Sequence, residues 1–169
     1  MPIVFSTGSI TAPTKLIQVQ STRYTGVHSA NNDWSTVTGL NCSITPKSSS
    51  NKILILLHIG GASYNANTIV YDLLRNNSPF YYGNSDGSRV GVSHRSDGRQ
   101  RGDTNHMFGV NIQAVDSPGT TSSVTYSVRI SGEGRNQQMY VNREISSSDN
   151  TDPAQARTAS TMTLLEFAP

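Results

Sequence analysis

Apolar and polar residues repeat along much of this chain with a period of two, most cleanly from Ser123 to Ser131. Val124, Tyr126, Val128 and Ile130 fall on one side, and Ser123, Thr125, Ser127, Arg129 and Ser131 on the other. Side chains alternate faces along a strand, so this run predicts a half-buried strand with one apolar and one wet side. Asp116-Ser117-Pro118-Gly119 ahead of it carries the residue types of a tight reversal. Arg157 to Phe167 predicts another strand, with Met162 and Leu164 on one face and Leu165 and Phe167 on the other. Lys52 to Ile59 does not alternate. It is a short continuous apolar run with β-branched residues, and it reads as a central strand covered on both faces. His58 within it is expected to be a satisfied core or interface histidine, and Gly60-Gly61 to let the chain bend.

The remaining segments are weaker. Lys15 to Gln20 predicts a short strand, followed by polar, turn-rich sequence through Asn31-Asn32-Asp33. Trp34 to Thr45 alternates in part, with Gly39 marking a bulge. Ile69 to Arg75 reads as a strand with a short helix as the rival, and Met107 to Val115 and Gln138 to Arg143 read as strands. About nine strands with turn signals between them, and no amphipathic helix, predict an all-β single domain: a β-sandwich or barrel, with a jelly roll as first choice. That domain is expected over residues 14–169. Met1 to Pro13 reads as an apolar N-terminal arm, whose Ile3, Val4 and Phe5 would either pack on a neighbour or form an edge strand of the same domain.

Composition supports strands with hydroxylated outer faces. Hydrophobic residues are 34% of the chain and charged residues 14%, both low for a globular domain, while 24 serines and 17 threonines make up the difference. Low hydrophobicity also marks disorder, but disorder usually carries a high net charge, and here it is +2. Thirteen basic against eleven acidic residues give no field for nucleic acid or an anionic membrane. No apolar run approaches membrane-spanning length, so no membrane insertion is expected. Cys42 is alone, which leaves no disulfide within the chain and no cysteine-based metal site. No signal-peptide pattern opens the chain, and folding in a reducing cytoplasm is the expectation.

Motifs that carry chemistry are few. His28, His58, His94 and His106 show no spacing with carboxylates that would ligate zinc. Asp86, Asp97 and Asp103 do not fit a calcium loop, and Glu133, Glu144 and Glu166 do not single out a glycosidase pair. Nucleophile-elbow, P-loop and dinucleotide motifs are missing. A non-enzymatic protein without cofactor or metal is expected. The Arg101-Gly102-Asp103 tripeptide is a chance match in an Arg/Gly/Asp-rich stretch, and the Asn41 and Asn76 glycosylation sequons would need a secretory route. The unusual stretch runs from Phe80 to His106. Phe80-Tyr81-Tyr82 precedes a glycine-rich loop with Arg89, Arg95, Arg99 and Arg101 and a brief strand expected at Arg89 to Val92. Long ordered loops tend to be functional. Tyr81, Tyr82 and these four arginines form a candidate contact loop, suited to stacking on and hydrogen-bonding sugars or to packing on a neighbouring subunit.

Taken in order, KLIQVQ, VTGLNCSITPKSSSNKILIL, LLRNNS, AVDSPGTTSSVTYSVRIS, MYVNRE and ASTMTLLEF resemble a module of virion structural proteins of tailed bacteriophages, especially marine ones. The resemblance runs from Lys15 to Phe167 and departs in the 80–106 loop and in the arm. It implies a trimeric jelly roll in the manner of C1q-like and tumour-necrosis-factor-like domains, and it implies no catalytic residues. It further implies a particle-surface protein made in the host cytoplasm, with itself and the major capsid protein or tail-fibre proteins as partners. A capsid decoration (knob or cement) protein is the first expectation, and a tail-fibre tip that binds a host surface glycan is the alternative.

Overall fold

A computed structural model describes residues 15–31, 33–64, 68–97, 106–132, 138–146 and 151–169. The arm, with Ile3, Val4 and Phe5, lies outside them, as do Arg99 and Arg101. Among the described residues eleven strands run in chain order: β1 (Leu16–Tyr24), β2 (His28–Ala30), β3 (Ser35–Ile44), β4 (Lys52–Tyr64), β5 (Thr68–Arg75), β6 (Ser78–Tyr81), β7 (His94–Asp97), β8 (Phe108–Asp116), β9 (Val124–Gly132), β10 (Met139–Val141) and β11 (Ser160–Phe167). All pairings are antiparallel. The first sheet contains β1, β11, β4, β10, β2 and β8, and the second contains β3, β9, β5, β6 and β7.

Register reduces these strands to eight positions. On one edge of β4, β11 pairs Lys52 to His58 and β10 pairs Ala62 to Tyr64, so the two share a lane. β1 and β2 share the lane outside them, and β8 occupies the other edge of β4. In the second sheet β6 and β7 share the lane beside β5. The sheets are therefore β1/β2–β11/β10–β4–β8 and β3–β9–β5–β6/β7. The chain changes sheet at each of the links β2–β3, β3–β4, β4–β5, β7–β8, β8–β9 and β9–β10. Two four-lane antiparallel sheets visited in that order are a jelly-roll β-sandwich.

The core forms where the inner faces meet. Ile53, Ile55, Leu57 and Ile59 of β4 and Val110, Ile112 and Ala114 of β8 come from the first sheet. Val37, Leu40 and Ile44 of β3, Tyr71 and Leu73 of β5, and Val124, Tyr126, Val128 and Ile130 of β9 come from the second. The alternation expected for β9 and β11 holds: Met162 and Leu164 are buried, and Leu165 and Phe167 are half-buried on the outer face. Ser127 departs from it, since it points outward and is still buried. The bulge expected at Gly39 is present as a register shift between Thr36 and Asn41.

Several expectations are corrected. β1 continues four residues past Gln20, because Ser21 to Tyr24 pair with β11 along the sheet edge and need no apolar side chains to do so. Gly60-Gly61 does not turn the chain. β4 runs through it with a register shift against β8, and a Cβ on Gly60 would stand 2.2 Å from the Ala159 carbonyl oxygen. Glycine is there for close approach of the segment entering β11. β4 is buried on its inner face only: Leu54 and Leu56 are half-buried, and His58 is exposed, hydrogen-bonded through Nδ1 to Asn111 Oδ1 at 2.9 Å. Arg89 to Val92 is not a strand, and β7 follows it instead. Asn76 and Asn77 of LLRNNS both take positive φ, 49° and 66°, and close the two-residue β5–β6 hairpin as a type I′ turn does.

Three buried polar groups tie strands that are distant in sequence. Asn142, fully buried with φ 65°, sits where β10 gives way to β11. Its Nδ2 donates to the Tyr24 and Gly26 carbonyls at 3.0 Å each, and its Oδ1 accepts from Ser160 Oγ at 2.6 Å. Glu166, also fully buried, accepts from the Lys47 amide at 2.7 Å, Asn51 Nδ2 at 2.6 Å and Gln18 Nε2 at 2.5 Å. Burial alone would raise its carboxyl, but the hydrogen bonds from Asn51, Gln18 and the Lys47 and Ser48 amides outweigh that and hold it below the usual range. Asp116 accepts from Tyr126 at 2.7 Å and from Arg75 at 3.0 Å, joining the two ends of the DSPGTTSSVTY segment.

Candidate contact surface

Tyr81 closes β6, and the chain then projects as a hairpin before returning along β5 as β7. Residues 81–90 are all exposed. The hairpin is held by Gly83 N–H to the Val92 carbonyl at 3.2 Å, and by a reciprocal pair between Asp86 and Arg89 at 3.2 and 3.0 Å. A Cβ on Gly91 would stand 1.7 Å from the Gly83 carbonyl oxygen, so the two arms cross at a distance that only glycine allows. Its base is anchored by Ser93. The Ser93 amide donates to the Tyr71 carbonyl at 2.9 Å, its hydroxyl accepts from the Leu73 amide at 2.8 Å, and the same hydroxyl donates to the Tyr81 carbonyl.

The aromatic run divides at Tyr81. Phe80 turns inward, 5.7 Å between ring centroids from Tyr126 and with the Arg75 guanidinium 5.7 Å from its own centroid. Tyr81 and Tyr82 face solvent at 43% and 57% exposure, with Val90 beyond them at 79%. Arg89 is spent on Asp86, 2.7 Å away with both side chains exposed, a pair that contributes little to stability. Arg95 leaves the loop to donate to Thr68 Oγ1 at 3.2 Å. Of the six residues expected in a contact loop, Tyr81, Tyr82 and Arg89 share the hairpin and Arg95 stands at its foot on β7.

Sequence reasoning missed a second surface group, on the outer face of the β3–β9–β5 sheet. Register sets Thr36, Arg129 and Asp72 in one row. Arg129 donates to Asp72 Oδ2 through Nε at 3.1 Å and Nη2 at 2.8 Å, and its guanidinium lies 4.2 Å from the ring centroid of Trp34. Trp34 is 40% exposed. A guanidinium fixed by a buried carboxylate beneath an open indole is a rigid, planar contact element. Alternation along β9 was enough to turn Arg129 outward, but its partners lie on other strands and carried no signal in sequence.

Burial shifts several of the described titratable groups. Burial raises the phenol of Tyr71 to about 12, partly offset by its hydrogen bond with Ser96. Burial first, then the hydrogen bond and charge of Asp116, raises that of Tyr126. Burial lowers His28, which meets the Ser35 hydroxyl at 3.1 Å. Among the described residues no three His, Cys, Asp or Glu side chains gather as a metal-binding group.

The fold thus places the chain among jelly-roll β-sandwiches. No protein-family profile matches it, and no curated protein is similar to it. Among solved structures it is similar to the VP2 subviral particle of infectious bursal disease virus, at 9% identity and a TM-score of 0.37. The likeness covers 99% of this chain and 46% of that one, so this chain spans less than half of the VP2 chain. The jelly-roll assignment rests on strand order and does not depend on that likeness.

Proposed function

We propose that the chain is a non-enzymatic structural protein of a bacteriophage virion, a homotrimeric decoration protein on the capsid surface. The supporting observation is how the phage-module resemblance is distributed over the fold. DSPGTTSSVTYSVRI forms the β8–β9 link and β9, and SITPKSSSNKILIL forms the end of β3, its link and the first half of β4. Those segments supply inner-face core residues and the Asp116–Tyr126 tie. The resemblance is therefore carried by scaffold, while the parts that depart from it include the projecting hairpin. A decoration protein needs many modest contacts per particle, which trimeric avidity supplies. Mass-spectrometric copy number on purified particles tests the reading. Capsid-like stoichiometry, on the order of hundreds of copies, is expected from multivalent shell decoration, and a small multiple of a tail trimer would overturn it.

The second reading, a receptor-binding part of the tail fibre, is favoured by one observation, the exposed Tyr81 and Tyr82 on a rigidly anchored hairpin. Aromatic faces of this kind stack on sugars, and a host surface glycan is the ligand this reading implies. Glycan-array binding that is lost in Tyr82→Ala, together with tail copy number, is its signature.

A further inference from the structure

Trp34 is the sole tryptophan of the chain. Single exposed apolar residues are common on folded proteins, but Trp34 is also held in place. It leads into β3, and the register of β3 on β9 sets it on the outer face of the β3–β9–β5 sheet beside Arg129. The Arg129 guanidinium, 4.2 Å from the indole centroid, is fixed in turn through Nε and Nη2 on Asp72 Oδ2. Asp72 is 3% exposed, and its Oδ1 accepts from the Ser93 amide at 3.4 Å. Stability does not account for this arrangement. Taking a carboxylate and a guanidinium out of water costs about what their attraction returns, and apolar side chains of similar size often serve a fold as well. What the pair supplies is order. The indole is pinned on one face, and the Nη1 edge of the guanidinium has no partner among the described residues.

We infer that Trp34 and Arg129 form a binding site for a neutral sugar ring, with the pyranose stacked on the free face of the indole and its hydroxyls accepting from Arg129 Nη1. The site uses none of the hairpin's aromatic residues and does not rest on the virion reading. Its chemistry selects the ligand class. An aromatic plane takes the C–H face of a pyranose, and a planar donor oriented by a carboxylate suits neighbouring hydroxyls. Charge disfavours an anion. Asp72 cancels Arg129, and exposed Asp33, next in sequence to Trp34, adds a further negative charge. A phosphate backbone needs uncancelled cations, whereas Thr36, Asn41, Ser43, Thr125 and Ser127 complete the outward rows of β3 and β9. These short hydroxyl and amide side chains leave room for a ring lying flat. A proline-rich peptide needs a groove lined by several aromatics, and this face offers one indole. A single ring of about a dozen heavy atoms binds such a site in the millimolar range, so dense display supplies the avidity that detection needs.

The full chain on a printed array of neutral and acidic glycans tests the site, followed by titration of the strongest neutral glycan, in soluble form, against tryptophan fluorescence. Because Trp34 is the only tryptophan, emission reads this site alone. Retention on neutral glycans and a saturable emission change are expected. Trp34→Ala should bind about tenfold more weakly, the loss of one stacked aromatic contact, at an unchanged melting temperature. Arg129→Lys keeps the charge, loses the planar fork and should also weaken binding, while Tyr82→Ala should bind as the wild type does. An array that retains no glycan would overturn the inference, as would retention confined to acidic glycans and released by salt. Binding that leaves Trp34 emission unchanged would overturn it even if Trp34→Ala failed to fold. Loss of binding in Tyr82→Ala with retention in Trp34→Ala would give the ligand to the hairpin instead. Copy number on particles is independent: a chain absent from virions sinks the virion reading and leaves this site standing.

Discussion

Asn142 concentrates much of what holds the first sheet together, because one buried side chain satisfies carbonyls of the β1–β2 link and a hydroxyl of β11 at once. Asn142→Ala removes these bonds and leaves an alanine at positive φ, and it should cost about 3–4 kcal/mol by urea denaturation. Asn142→Gly loses the same bonds without the Cβ strain and should retain about 1 kcal/mol more than alanine. Equal losses would show that φ at this position is unstrained. Glu166 adds a pH dependence. Its carboxyl is depressed in the folded state, so the stability it contributes is present above the titration range of an unfolded glutamate, about pH 4.3, and is lost as pH falls through its lower folded value. Glu166→Gln should cost about 2 kcal/mol at pH 7 and flatten the acid limb of the stability curve. A variant whose stability falls as steeply as wild type below pH 4.3 would place the acid-sensitive group elsewhere. Neither role was visible beforehand. Glu166 was one of three unassigned glutamates, and its donors come from positions 18, 47 and 51.

Among the elements, the 82–92 hairpin separates local stability from global stability. Its anchors at Ser93 are to β5, while among the described residues its tip is held by the Asp86–Arg89 pair. Tyr82→Ala and Arg89→Ala should therefore shift unfolding by less than about 0.5 kcal/mol, as exposed substitutions do. On the tail-fibre reading proposed above, Tyr82→Ala should also weaken glycan binding, read by competition binding. Gly91→Ala should distort the hairpin, because its Cβ has no room beside the Gly83 carbonyl. It should raise amide exchange across 83–92 and leave β9 protected. Loss of β9 protection would make the hairpin part of the folding core. Sequence located this region by composition, through adjacent aromatics, glycines and arginines, but could not divide it. Phe80 went to the core and Tyr81 to solvent because β6 is pleated against β5, and Arg95 was drawn to Thr68 by β7 pairing.

On the proposed virion role, removing Met1 to Pro13 should weaken attachment to the particle and leave the sandwich folded, with its melting temperature unchanged. The described core already joins inner-face residues of both sheets. A truncated chain that fails to fold would make the arm a strand of the domain.

What the sequence determined by itself was the set of strands with one buried face, and hence an all-β sandwich. Period-two patterning is a local consequence of the pleat and is written residue by residue, as in β9 and β11. Tertiary structure alone decided the lanes: that β10 and β11 share an edge of β4, that Gly60 admits Ala159, and that Trp34, Asp72 and Arg129 meet. These depend on which strand lies beside which, and pairing energy comes from neighbours that sequence spacing does not record. The unalternating β4 run belongs to both. Its composition predicted cover on two faces, and among the described residues the fold covers one, leaving Leu54 and Leu56 half-buried on the other.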